Sequence, residues 1–393
     1  MRSIVNLDQF NQCEARMGWV SADVAMRRLK IRQQTLYAYV SRGRLEARPD
    51  PADPRRSLYS AEQIERLAAR GPGPRKASDI ASDTIAWGEP VLASALTTIA
   101  RDRLWYRGRD AIKLSERATL EEAAALFWDT EYSPSGKPRA LARGSMLERL
   151  YLALANLAAT SEPARGRAAS ALAREAALTL ETLANAAAGP SVGVPIHVRL
   201  SKAWGLNAKG SQLLRRALVL LVDHELNAST FAARVAASTG ASLPASALAG
   251  FATLSGPLHG AAIHTVAEFI DACERAGARA SIRARLSDSR RVPGFGHPLY
   301  PKGDPRAAAL LDDLPASKSL TPLRALVEAE TAERPNIDFA IAALAKAYDI
   351  PADGAFAIFA VGRCVGWLGH AMEQLQSGHL IRPRARYVGP EPK

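Results

Sequence analysis

Three histidines stand in segments whose neighbours suit chemistry: Asp223-His224-Glu225-Leu226-Asn227, Gly256-Pro257-Leu258-His259-Gly260 and Pro293-Gly294-Phe295-Gly296-His297-Pro298. Asp304-Pro305-Arg306, Pro335-Asn336-Ile337-Asp338, Val361-Gly362-Arg363 and Ile381-Arg382-Pro383-Arg384 follow in order. Histidine donates, accepts and titrates near neutral pH, carboxylates act as bases, and arginine grips carboxylates in bidentate fashion. Taken singly, several of these residues have plain structural readings. His224 continues the helical spacing of Leu213, Ala217, Leu220 and Leu221 and reads as a hydrogen-bonder on a helix. Asp338 reads as part of a helix cap, and His370 and His379 as core or surface histidines. Arg363 interrupts an apolar helical run, residues 355–366, where a charge must be paired; a carboxylate substrate is one such partner.

Taken together and in this order, with the earlier stretch from Trp105 to Asp129, these motifs resemble the citrate synthase family over about residues 84–390. The resemblance implies a mainly α fold of two helical domains: a large one of residues 76–260 plus 350–393 and a small one of residues 261–349. It implies condensation of acetyl-CoA with oxaloacetate, giving citrate and CoA. Asp338 is then the base, His259 the donor to the thioester oxygen, and His297 the group that polarises the ketone. His224, Arg306, Arg363 and Arg382 contact the oxo acid, Arg382 reaching it from the partner of a homodimer. Pro293, Gly294, Phe295 and Gly296 lie in the CoA-binding loop of residues 291–297, the glycines letting backbone approach the ligand, and Asn336 is another CoA-contacting position. The Pro-Leu-His-Gly turn offers backbone groups to fix the tautomer of His259. The CoA thioester is a co-substrate; no tightly bound cofactor and no metal is implied.

The chain departs from the family at Ile263, where an asparagine is expected beside the active-site turn, and His264 follows it. That bears on substrate choice and rate more than on reaction class. A 2-methylcitrate synthase using propionyl-CoA is the alternative enzyme, since one methylene is worth only about 1–3 kcal/mol in a pocket. A different class of reading is a DNA-binding regulator whose synthase-like domain senses a ligand; the retained Asp338, which binding alone does not need, favours the enzyme.

The elements that must position these residues read as helices. Alanine-rich stretches 168–188 and 236–252 favour helix, and alternating β-branched runs are nearly absent after residue 76. Gly-Gly-free but Pro- and Gly-rich, residues 71–78 (GPGPRKAS) read as a linker. Before it, residues 19–70 resemble winged helix-turn-helix modules of the MerR and excisionase type. Ser21 opens a first short helix, residues 33–42 form a second ended by Gly43, residues 45–59 form a hairpin or wing, and Ser60 with Gln63 makes a capping-box pattern. Arg32, Arg42, Arg44 and Arg55 are its candidate nucleic-acid contacts, with Arg56 beside them. The net charge of +12 supports that reading by its distribution: residues 1–76 hold 15 Lys/Arg against 8 Asp/Glu, hence +7. The alternative for this module is an interaction unit with a solvated basic face.

Three widely spaced cysteines suggest neither a disulfide framework nor a metal site. No apolar leader and no uninterrupted apolar run of about 18 residues is present, so a soluble cytoplasmic protein with no membrane partner is expected. The chain of 393 residues is long enough for several domains and a large core.

Overall fold

The structure is a computed structural model. It describes residues 18–29, 31, 33–41, 45–50, 53, 56–68, 92–133, 143–191, 193–287, 291–317, 319–385, 387 and 389–390. The chain divides into two compact units, Met1–Leu92 with Arg386–Lys393, and Ala93–Ala385.

In the first unit, β1 (Trp19–Ser21) leads into α1 (Ala22–Leu29) and α2 (Gln33–Ser41), then β2 (Ala47–Pro49), β3 (Ser57–Ser60) and α3 (Ala61–Ala68). The strands form an antiparallel sheet in the order β1-β3-β2, with Val20 opposite Tyr59 and Arg48 opposite Leu58. Val20, Ala25, Leu29, Leu36, Leu45, Tyr59 and Ile64 make its small core. The expected hairpin is there, and β1 adds a strand that the sequence reading did not foresee. The expected capping box forms only by half. Ser60 Oγ accepts from Gln63 N (3.4 Å), but the Gln63 side chain is taken by the Glu46 N–H (2.7 Å), because Ser60 N already donates to Glu46 O across the sheet. Arg32, Arg42, Gly43, Arg44, Arg55 and the linker at 71–78 lie outside the described residues. Arg56 is exposed and pairs with Asp53 at 3.4 Å.

The second unit opens with a correction to the all-α expectation. β4 (Thr97–Ala100), β5 (Arg103–Tyr106) and β6 (Arg109–Asp110) form a three-stranded antiparallel sheet. Its two tight turns place Arg101 and Asp102, then Arg107 and Gly108, at positive φ, the conformation that matches strand twist in two-residue hairpins. Strands this short carry too little alternation to be read, yet Leu104 and Tyr106 are fully buried.

Helices follow: α4 (Ala111–Ser115), α5 (Leu120–Trp128), α6 (Met146–Thr160), α7 (Ala169–Ala188), α8 (Ile196–Ala203) and α9 (Ala208–Leu220). Thr119 with Glu122, and Ser145 with Glu148, form reciprocal capping boxes that start α5 and α6. The alanine-rich stretch 236–252 is not one helix. α10 (Ala228–Ser238) ends, Gly240 turns the chain at φ 87, and Ser242 caps α11 (Leu243–Leu254). Then come α12 (Ala262–Ala276), α13 (Ala278–Ser287), α14 (Pro305–Leu311), α15 (Leu320–Thr331), α16 (Ile337–Ala347) and α17 (Gly354–Ser377).

α17 is the axis of this unit. It packs against α7, α9, α10, α11 and α5. By length and apolarity it could cross a membrane, but 89% of that apolar window is buried among other helices. Glycines let it touch its neighbours' backbones. A Cβ at Gly362 would stand 2.8 Å from Leu218 O, and one at Gly366 would run into Val222 O and the Asp223 carboxyl. α17 therefore lies directly against the end of α9 and the loop after it.

This contact sets a prediction. In an uncrowded helix Gly→Ala gains about 1 kcal/mol. Gly366→Ala should instead lose about 1–3 kcal/mol through overpacking, seen as a lower midpoint in thermal unfolding. A midpoint at or above that of the parent chain would show that α17 does not press on this backbone.

Candidate active site

α9 ends at Leu220, Leu221 caps it, and the chain turns with Glu225 at φ 53. His224 therefore stands in a loop and not on the helix where its spacing placed it. The loop is pinned from several sides. Tyr106 donates to Leu220 O (3.1 Å) and Asp223 O (3.3 Å), and Ile99 N donates to the Glu225 carboxylate (2.6 Å). The fully buried Asp223 meets His370 Nε2 at 3.1 Å. Burial opposes the Asp223 charge, but His370 and Arg363 outweigh it and hold its pKa below the usual carboxylate value. His370 Nδ1 in turn faces Arg234 at 3.2 Å, and Arg234 pairs with Glu373 at 2.5 Å. His370 is thus a satisfied core histidine, and His379 is exposed.

His259 lies in the turn between α11 and α12. No backbone group of that turn holds its ring, contrary to expectation; its Nε2 meets Ser229 Oγ at 2.8 Å. Ser229 Oγ also receives the Trp367 indole N–H (3.1 Å) and lies 2.7 Å from the side-chain Oδ1 of Asn227. Its single proton goes either to Asn227 or to His259. For His297 the backbone does act: Leu299 N–H donates to Nδ1 (3.1 Å), which leaves the proton of the neutral ring on Nε2.

The loop carrying His297 needs its glycines for shape. Gly294 and Gly296 adopt φ 82 and 74, and a Cβ at Gly294 would stand 2.9 Å from Phe339 Cβ. Val292 and Phe295 are buried beneath it. The loop is tied to the start of α16 by Asn336 N→Gly294 O (2.9 Å), Gly296 N→Arg334 O (2.9 Å) and Asn336 Nδ2→Gly296 O (3.1 Å). The Asn336 Oδ1 caps α16 through Asp338 N and Phe339 N. Asn336 is thus the clasp between loop and helix as well as a residue beside the expected ligand.

α14 begins with Asp304 as its cap and Pro305 in its first turn. Asp304 takes Arg306 in a fork, Nε to Oδ1 at 3.0 Å and NH2 to Oδ2 at 2.8 Å, and also accepts Ile337 N–H (3.0 Å). One buried carboxylate joins two helix starts. Burial works against both charges, but each partner outweighs it, so the Asp304 pKa is lowered and that of Arg306 raised.

Arg363 is as deeply buried as Arg306, both at 2% exposure, but is less well matched. Its Nε donates to Leu221 O at 2.9 Å, and its guanidinium stands 5.2 Å from the Phe359 ring centre. Its terminal nitrogens have no acceptor among the described residues. Burial, with Arg306 nearby, pulls its pKa down. Asp338, second residue of α16, has no hydrogen-bond donor to its carboxylate among the described residues. Burial raises its pKa to about 6, against the pull of Arg306 and Arg363.

The histidines close the cluster. The rings of His224 and His297 lie 5.1 Å apart, and Tyr300 lies 5.6 and 5.0 Å from them. Burial lowers the pKa of His259 and of His297 to about 4, and holds that of His224 well below the ordinary histidine value, with Arg306 and Arg363 adding to it. All three rings are neutral at pH 7. His224, His259, His297, Arg306, Asp338 and Arg363 are therefore brought together from six separate segments. Arg382 is not. α17 stops at Ser377, five residues before Arg382, Gly378 turns the chain at φ 69, and Arg382 is exposed. Ser229, Tyr300, Asp304 and Trp367 were missed as site residues; the Asp-Pro cap and a Trp one turn after Arg363 were the available signals.

Residues 145–384 match the family model described as citrate synthase, C-terminal domain. The chain is 39% identical over 194 residues to citrate synthase 2 of Bacillus subtilis, covering 46% of this chain and 51% of that one. It is 33% identical over 198 residues to a 2-methylcitrate synthase of Shewanella oneidensis, covering 48% and 53%. It spans about half the length of the curated relatives it matches. Among solved structures, citrate synthase from Thermotoga maritima superposes with a TM-score of 0.63 at 26% identity, covering 78% of this chain and 95% of that one. With the family model matching well over half of its length, and the helical fold to go with it, the chain belongs to the citrate synthase family.

Proposed function

We propose that the chain condenses acetyl-CoA with oxaloacetate to give citrate and CoA. The observation that carries this is the buried Arg363, whose terminal nitrogens lack an acceptor among the described residues, together with the Asp338 carboxyl, held near pKa 6. A buried cation calls for an anion, and a carboxyl near pKa 6 suits a base working at neutral pH. Asp338 takes a proton from the acyl methyl. His259 donates to the thioester oxygen, stabilising the enol where charge develops; for this the Ser229 proton goes to His259 Nε2 and leaves Nδ1–H to donate. The enol carbon attacks the ketone of oxaloacetate, the ketone oxygen takes the proton of His297 Nε2, and the proton that Asp338 removed from the methyl group is passed back to that ring, restoring the neutral imidazole and the carboxylate. Water then cleaves the citryl thioester, releasing citrate and the CoA thiol. Arg306, Arg363 and His224 hold the oxo acid's carboxylates, and the loop of Pro293, Gly294, Phe295 and Gly296, with Asn336, holds CoA.

The same family supports further proposals. Residues 261–349 form the smaller domain, which closes on residues 76–260 and 350–393 and excludes water. The chain acts as a homodimer, and Arg382 serves the partner's site. The likeness to a 2-methylcitrate synthase keeps propionyl-CoA as a second donor. In the first unit, two helices followed by a β-hairpin, with Gln33, Thr35 and Tyr37 exposed on α2, favour a winged helix-turn-helix that binds DNA.

Asp338→Asn should cut turnover at least ~100-fold while oxaloacetate still binds by calorimetry. In the parent chain kcat/KM should fall below a pH of about 6 as Asp338 gains its proton. Turnover near the parent rate would remove Asp338 as the base. Arg382→Ala and Arg306→Ala should each be nearly inactive. After subunit exchange, heterodimers carry one intact site, so the mixture should regain about a quarter of full activity; proven heterodimers with no recovery would place Arg382 in its own subunit's chemistry. Binding of duplex DNA should weaken steeply as salt rises, and a gel-shift series without that slope would leave the first unit as an interaction module.

A further inference from the structure

The hydroxyl of Tyr300 lies 3.1 Å from Nε2 of His224, and no other hydrogen bond to it is present among the described residues. Tyr300 is 2% exposed. It sits at the centre of the cluster, its ring against those of His224 and His297 and 5.6 Å from the Arg306 guanidinium carbon. Its backbone is fixed by a turn, with Tyr300 N donating to His297 O (3.0 Å) and Gly303 N donating to Tyr300 O (2.9 Å). The residue is held at both ends, so its hydroxyl has a fixed aim.

Two groups share this contact, and one proton lies between them. A phenol is the better donor of the pair, and a neutral imidazole nitrogen the better acceptor. Burial keeps the phenol protonated, since it raises the Tyr300 pKa, and burial likewise keeps His224 uncharged. The hydroxyl therefore donates to Nε2, and the imidazole carries its own proton on Nδ1. No partner for Nδ1 is present among the described residues. The proton is thus turned away from Tyr300 and is free for a ligand.

We infer that Tyr300 is a positioning residue that sets His224 as the Nδ1–H tautomer, a neutral donor to the oxo acid. This rests on the function proposed above. It gives the three histidines one common logic: Ser229, Leu299 and Tyr300 each occupy one nitrogen, and the other nitrogen of each ring is left to act. The ring of Tyr300 fills space between His297 and Arg306, whereas its hydroxyl does only this one thing, so Tyr300→Phe separates the two.

The test uses the full-length chain labelled with 15N-histidine. Long-range 1H–15N spectra distinguish the two neutral tautomers, and His224→Gln identifies the signal. In the parent chain His224 should show the Nδ1–H pattern. In Tyr300→Phe it should move to Nε2–H or to a mixture, with thermal stability retained. The oxaloacetate KM should rise about fivefold, the scale of one lost neutral hydrogen bond, while the acyl-CoA KM stays within about twofold. An Nε2–H pattern in the parent chain, an unchanged pattern in the variant, or equal movement of both KM values overturns the inference. If the parent chain condenses no oxo acid with any acyl-CoA, the proposed function falls, and the tautomer spectra still judge the Tyr300 contact on its own.

Discussion

A guanidinium taken out of water must be matched, and this site buries two of them. Arg306 and Arg363 are equally buried, and Arg306 adds to burial in lowering the pKa of Arg363. Their matching differs. Arg306 has a whole carboxylate, both oxygens of Asp304, and charge-assisted forks of this kind are among the strongest side-chain hydrogen bonds. Arg363 has one backbone carbonyl. The Asp223 carboxylate, whose charge also acts on Arg363, is already engaged by His370. Asp304 thus takes Nε and NH2 of Arg306, whereas neither terminal nitrogen of Arg363 has an acceptor among the described residues.

That imbalance explains the behaviour of Asp338. Two cations would ordinarily drag a carboxyl down. Here one is screened by its own partner, the Asp304 charge adds repulsion, and burial outweighs the rest, so the pKa rises to about 6. The same low-polarity surroundings bring the histidines to neutrality. An imidazolium beside two guanidiniums would add a third like charge, whereas a neutral ring can donate without one. The polar framework around the loop at 221–227 then matters for position. The chain Asp223–His370–Arg234–Glu373 fixes where His224 stands, and the glycines of α17 allow the contact that puts Arg363 against Leu221 O.

Much of this was legible in the chain. The six residues that converge were each visible as a polar group in an unusual local setting, and their order carried the family. Arg363 was legible on physical grounds alone, because a charge inside an apolar helix needs a partner. Other features were hidden for identifiable reasons. His224 matched the α9 periodicity by accident of register; the helix had ended four residues before, at Leu220, and the chain then turns through Glu225. The strands of 97–110 are two to four residues long, too short for alternation to register. Gly240 split an alanine-rich run whose propensity favoured continuity. Ser229, Tyr300 and Trp367 act through contacts across many tens of residues, which no local pattern encodes.

The departure at Ile263 can now be weighed in the same terms. A side-chain amide beside the active-site turn would need its own hydrogen bonds. Ile263 needs none: it is 1% exposed, in the main core with Val266, Phe269 and Ile270. The neighbouring His264 lies flat against Phe356, with ring centres 6.0 Å apart. The exchange is thus absorbed by packing on α12, and it leaves the Ser229–His259 contact untouched. A side chain sealed into the core presents no wall to an acyl group, so Ile263 by itself gives no steric preference between an acetyl and a propionyl donor. A preference worth about 1–3 kcal/mol per methylene would therefore need a source other than Ile263. The ring of His259 is braced here by Ser229, which the Trp367 indole N–H holds in turn.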